Sequence, residues 1–255
     1  MSAPGIWIFL PVLVGIILFL VHNQKALAVI SGFICLFLAV AAYLLPIDEL
    51  IATSWISFKI NPSWQILGRS LNLTNTDRSW LFLLYTASSF WFMASSTLHV
   101  ARRLVPMGMV ITGLLAAALA VEPFLYAALL IEAAVLLSIP MLSSPGRAPG
   151  RGILRFLIYQ TIALPFILLA GWLLSGLDAN PGDLDLVILS VVILGLGFAL
   201  LLAVFPFHTW IPLLAGEAHP YLAGFILWSF PTVGIIFGVS FLDRYAWLRD
   251  TGGIN

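Results

Sequence analysis

Glu132 is the residue whose position most directly implies chemistry. It lies in EPFLYAALLIEAAVLLSIPML, ten residues after Glu122. At about 1.5 Å of rise per helical residue, Glu132 sits about 15 Å beyond Glu122. That distance is about half the hydrocarbon thickness of a bilayer. A charged carboxylate at such a depth is costly unless it is neutralised, paired or hydrated, so Glu132 should face the interior of a bundle. A carboxyl group that holds and releases a proton there is a natural relay element. The alternative is a structural acid hydrogen-bonded to a neighbouring helix. No Lys or Arg lies deep in an apolar run to pair with it.

Few other polar residues interrupt the apolar runs. Tyr159, Gln160 and Thr161 form the most concentrated group, with Ser190 and Ser229 elsewhere. Tyr159-Gln160-Thr161 either binds water near Glu132 or hydrogen-bonds across helices as interhelical glue. The stretch LLAVFPFHTWIPLLAGEAH carries His208 and His219. Imidazole changes charge near neutral pH, so His208 is a candidate proton-entry group, with interfacial capping the alternative. The spacing of the two histidines, with Glu217 between them, is not a zinc pattern. His99, beside Arg102 and Arg103, reads as an interfacial anchor, and Trp210 as a member of an aromatic belt. Pro165, Pro206 and Pro231 mark places where helices break. Broken helices are tolerated in membranes where they line protein interiors or wet cavities, and transporters use them at ion paths. Simple kinks are the alternative for Pro165 and Pro231.

These residues must be positioned by membrane-spanning elements. A span needs about 20 apolar residues. Eight segments qualify: 6–22, 26–46, 79–98, 104–121, 123–142, 153–176, 186–205 and 220–241. The expected fold is therefore all-α, a polytopic membrane helix bundle of about eight spans. The connection 47–78 is polar and contains short alternating pieces, so it reads as an extramembrane loop with β-hairpin character. SSPGRAPGRG reads as a flexible Gly/Pro-rich connection. The short loops holding Lys25, Arg102, Arg103, Arg147 and Arg151 share one side, with Arg155 at the start of the sixth span. Glu122, Asp178, Asp183 and Asp185 lie on the other. In the long loop Lys59, Arg69 and Arg78 are offset by Asp48, Glu49 and Asp77. A basic cytoplasmic side puts both termini outside, in a membrane read as the bacterial cytoplasmic membrane. The N-terminus has no positive n-region and reads as a first span rather than a cleaved signal.

Composition agrees. The chain of 255 residues is 62% hydrophobic and only 9% charged, with a mean hydropathy of +1.09. Soluble domains are about one-quarter charged. The net charge is zero, so there is no basic footprint for nucleic acid. The single cysteine, Cys35, excludes an internal disulfide and a cysteine-based metal site, and reads as a small buried apolar residue.

FPFHTWIP, following the Gly-rich apolar run LGLGFALLLAV, resembles the signature of the antiporter-like proton-channel subunits of respiratory complex I. Mrp-type cation/proton antiporters and membrane-bound hydrogenases share that signature. Glu132 falls where the family places a glutamate in its fifth helix. The order of elements is similar as well: a three-span segment over 1–103, a five-helix unit over 104–241, and an external tail over 242–255. The resemblance covers essentially the whole chain. It implies a membrane-arm subunit of an NADH/quinone oxidoreductase, coupling electron transfer elsewhere to proton movement. The alternatives are an Mrp-type antiporter subunit and a non-conducting structural subunit. It implies Glu132 and His208 as proton-handling groups, with Pro206, Trp210, Pro212, Tyr159, Gln160 and Thr161 supporting the channel. The implied partners are other membrane subunits, the bilayer and the proton itself. No cofactor is expected in this chain, which lacks the cysteines and phosphate loops that clusters and flavins need. The chain departs from the family at three places, one of them the missing acidic residue after the turn, where Leu213-Leu214 follow Pro212. The family's seventh-helix lysine falls on Leu201, and Trp228 stands where a second lysine or histidine is common. Family members carry two such units related by inverted topology, so this chain corresponds to the first half of the fold, as a fragment, a split gene product or a reduced subunit.

Overall fold

The computed structural model describes residues 2–53, 56–66, 68–98, 100, 102–123, 126–143, 146, 148–177 and 184–244. His99, Arg147, Asp178, Asp183 and residues 245–255 of the expected tail lie outside the described residues. Nine α-helices are found among those described: α1 (Leu10–Leu18), α2 (Gln24–Leu44), α3 (Arg78–Ala94), α4 (Leu104–Ala120), α5 (Tyr126–Leu142), α6 (Arg151–Leu177), α7 (Leu184–Leu201), α8 (Trp210–Glu217) and α9 (Pro220–Arg244). A π-helical turn, Gly5–Phe9, leads into α1.

The architecture is mostly helical, as expected, but the all-α reading needs correcting. Five short strands are present: β1 (Leu50–Thr53), β2 (Ile56–Lys59), β3 (Ser63–Ile66), β4 (Arg69–Asn72) and β5 (Val121–Glu122). Strands β1 and β2 form one antiparallel hairpin, and β3 and β4 a second, with β5 added to the free edge of β4. The alternating pieces of the 47–78 connection are the source of these hairpins. Lys59 and Asp48 bridge at 2.9 Å beside the first.

Three helical stretches are long and apolar enough to cross a membrane: Gln24–Leu44, Arg151–Leu174 and Pro220–Asp243. Gly5–Leu18, Leu104–Ala120, Tyr126–Leu142 and Asp185–Leu201 are shorter apolar helices. The outer faces are oily. Phe37 on α2 is 68% exposed and Ile188 on α7 is 62% exposed. Apolar surface on that scale is a surface for lipid or for protein rather than water.

Helix α4 is the centre of the bundle. Nearly all its side chains are buried, and it touches α1, α2, α3, α5 and α9. Its apposition to α1 is close because Gly113 carries no side chain. A Cβ there would lie 2.6 Å from Val12 Cγ2 and 3.2 Å from the Ile8 carbonyl. Small residues allow this approach in membranes, where apolar side chains gain nothing by leaving lipid.

Arginines close the helix ends. Arg102 donates to the carbonyls of Phe19 and Val21 beyond α1, and Arg78 to those of Ala42 and Tyr43 at the end of α2. Terminal carbonyls have no intrahelical donor, and a guanidinium satisfies them with favourable charge. Pro165 and Pro231 lie inside continuous α6 and α9, so neither breaks its helix. Pro140 sits likewise inside α5. Cys35 is buried, with Sγ 3.3 Å from Met109 Sδ.

Candidate functional site

Glu132 projects from α5 toward α6. Its Oε1 accepts a hydrogen bond from Thr161 Oγ1 at 2.7 Å, a normal distance for a hydroxyl donor. A hydroxyl both donates and accepts, so Thr161 partners either protonation state of the carboxyl. Glu132 is half-buried and Thr161 exposed. Glu132 thus faces a neighbouring helix and a cavity on its inner side, without being fully buried. The α5–α6 seam lies at an edge of the bundle, and one side of the pair is open.

On its inner side Glu132 borders a small cavity of about 10 Å³, shared with Ala128, Ile131, Gln160, Ala163 and Leu201. That volume is about the lower limit for one water. Gln160 is 3% exposed. Its Nε2 donates to the Leu201 carbonyl at 3.1 Å, satisfying a terminal carbonyl of α7 that has no helical partner. Its Oε1 makes no hydrogen bond within the described chain. Three helices therefore meet here: α5 brings Glu132, α6 brings Gln160 and Thr161, and α7 brings Leu201.

Tyr159 does not join them. Its ring packs edge-on against Phe207 at 6.1 Å, and its hydroxyl lies 3.5 Å from Thr209 Oγ1. Successive helical residues point about 100° apart, so three adjacent residues cannot share one target. The group divides: Thr161 to the carboxyl, Gln160 to the end of α7, Tyr159 to the turn.

The FPFHTWIP turn begins where α7 stops. Ala203 adopts a left-handed conformation with φ +54°. The Val204 amide donates to the Ala199 carbonyl at 2.9 Å and the Ala203 amide to Leu200 at 3.3 Å. This is a Schellman closure, with alanine in the position that usually holds glycine. Helix α7 thus ends before Pro206 is reached. Pro206 precedes a 3₁₀ turn, Phe207–Thr209, and Pro212 lies in the first turn of α8, where a missing amide costs nothing.

His208 is exposed, with its ring stacked on Phe205 at 5.7 Å, and it does not line the Glu132 cavity. Trp210, expected in an aromatic belt, turns its ring into the bundle rather than outward. It is 2% exposed and packs on Phe156 with ring centroids 5.0 Å apart. His219 is a cap: its Nδ1 accepts from the Tyr221 amide at 3.2 Å at the start of α9. Trp228 is half-buried in α9.

Two features escaped the sequence reading. Helix α8 was hidden in what reads as a plain connection. Glu217 at its end accepts from the Gly152 amide at 2.7 Å, capping α6. The Gly/Pro-rich run before α6 is therefore not wholly a flexible linker, since Gly152 is tightly engaged. The only signal was the pairing of a lone glutamate with a glycine-flanked helix start.

No family model matches the chain, and no curated protein matches it. The described chain is a mostly helical protein with three helices long and apolar enough to cross a membrane, in which a carboxyl, an amide and a helix terminus meet at a small cavity.

Proposed function

We propose that this chain is a membrane-arm subunit of a complex I-like NADH/quinone oxidoreductase, taking part in proton translocation coupled to electron transfer. Eight spans with both termini outside belong to this reading, as does a set of neighbouring membrane subunits. Glu132 handles the proton, and Thr161 holds its carboxyl in either charge state.

The observation that carries the reading is the shared cavity. Leu201, where the resemblance puts a lysine, borders the same space as Glu132. A side chain at position 201 is thus a neighbour of the carboxyl. With leucine there, the Thr161 hydroxyl and the Gln160 side-chain amide supply the polar surroundings. The open side of the pair, where Glu132 is half-buried and Thr161 exposed, supports an assembled subunit, because a partner covering that edge removes a carboxyl from contact with lipid. The apolar Leu201 supports one second reading, a subunit that seals the arm without conducting.

The test is the driving force. In proteoliposomes of the assembled complex, NADH oxidation is expected to acidify the lumen, with fewer protons per electron pair when this chain is replaced by its Glu132→Ala form. Proton movement driven by a sodium gradient, without NADH, would point instead to a secondary antiporter. An unchanged proton yield would leave only the structural role.

A further inference from the structure

A second site, sharing no lining residue with the Glu132 cavity, lies where the small sheet meets the bundle. An apolar groove of about 390 Å³ runs between α1, α4 and α5. Its walls include Val12, Leu114, Ala117, Leu129 and Leu130. Leu129 is 46% exposed, so the groove opens sideways from the bundle. A polar pocket, also about 390 Å³, adjoins it and is lined by Gln65, Arg69, Ser70 and Glu122. Arg69 belongs to both. Cavities of this size are in the range of small-molecule sites.

The sheet builds the junction. Ser70 on β4 faces Glu122 on β5 across the ladder, which brings the neighbouring Arg69 and the carboxylate to one pocket. Arg69 is exposed, and its guanidinium lies 3.8 Å over the Tyr126 ring and donates to the Tyr126 hydroxyl. Stacking on the ring orients the guanidinium and leaves donors for a further acceptor. The Glu122 carboxylate accepts several hydrogen bonds at once, so an existing contact does not saturate it.

We infer that this groove and pocket bind one zwitterionic aminophospholipid of phosphatidylethanolamine chemistry. An acyl chain lies in the groove, the phosphate meets Arg69, and the ammonium meets Glu122. The charge pattern selects this occupant. One cation and one anion line the pocket, matching a headgroup that carries both signs. A purely anionic headgroup would bring its charge against Glu122. A choline headgroup is cationic but has no N–H to donate to the carboxylate. The inference needs only a chain embedded in a bilayer and holds whether or not Glu132 conducts.

Native mass spectrometry of the detergent-purified protein tests this, after incubation in turn with phosphatidylethanolamine, phosphatidylcholine and phosphatidylglycerol. Phosphatidylethanolamine retention is expected to exceed that of the other two about tenfold. Glu122→Gln should bring phosphatidylethanolamine and phosphatidylcholine close to equal. Arg69→Gln should weaken all three, and Arg69→Lys, which keeps the charge if the glutamine form does not fold, should retain the preference. Equal retention of the three lipids by the wild type overturns the proposal. So does preferred phosphatidylglycerol that Glu122→Gln leaves unchanged, which would mark a site for anionic lipid. Retention indifferent to both Arg69 and Glu122 overturns it as well.

Discussion

Glu132→Gln is expected to lower proton translocation by the assembled complex about a hundredfold, the scale of losing a positioned proton-transfer group, while the protein still folds and assembles. The substitution is chosen for what it keeps. Glutamine has nearly the same volume, and its side-chain carbonyl can still accept from Thr161, which now bonds Glu132 at 2.7 Å. The cavity bordered by Gln160, Ala163 and Leu201 keeps its shape. Only the exchangeable proton is lost. A structural acid held by a hydrogen bond would be replaced by a structural amide held by the same bond, with little change in any property. Proton pumping per NADH, measured beside assembly on native gels, separates the two readings. Normal assembly with normal pumping would reject Glu132 as a relay.

Gly152→Ala carries the largest expected effect on stability. An added Cβ would lie 2.4 Å from the Leu213 carbonyl carbon, 2.5 Å from the Leu214 nitrogen and 2.6 Å from the Leu213 oxygen. All three are backbone atoms, so no rotamer change relieves the clash. Either α8 or the start of α6 must move, and the Glu217 cap on the Gly152 amide moves with it. Overpacking in well-packed sites costs about 1–3 kcal/mol, and a clash against backbone with a lost cap belongs at the upper end. Gly195→Ala is the control. It also lies in a helix, but nothing stands within 4 Å of its added Cβ, so it should be neutral or stabilise by up to about 1 kcal/mol. Thermal unfolding in detergent should rank Gly152→Ala well below wild type and Gly195→Ala at or above it. Equal melting of the two variants would show that α6 and α8 are not packed as described.

The coarse fold was legible because its signals are long. Apolar runs such as ALAVISGFICLFLAV leave little choice but helix, and the polar alternation of 47–78 announced strands. Glu132 stood out because a carboxyl is rare in such surroundings. The finer placement was not legible, for physical reasons. Helix α8 is only eight residues long, too short for a periodic pattern. The strand β5 is two residues held by a distant partner, β4, and local sequence carries no trace of that pairing. Trp210 looked interfacial because it is a tryptophan beside prolines and histidines, but α6 offers Phe156 as its packing partner. Gly152 looked like a linker glycine, although its role is to leave room for another backbone. Tyr159, Gln160 and Thr161 were read as one group, and helical geometry sends them to three different partners.

As a proton relay, Glu132 changes protonation as protons cross. Infrared difference spectroscopy of the assembled complex, comparing resting and NADH-driven states, measures this directly. The carbonyl stretching band of a protonated carboxyl group is expected to change during turnover, to shift in heavy water, and to be missing from the Glu132→Gln variant. A wild-type spectrum with no carboxyl change, or a change that persists in Glu132→Gln, would contradict the relay role.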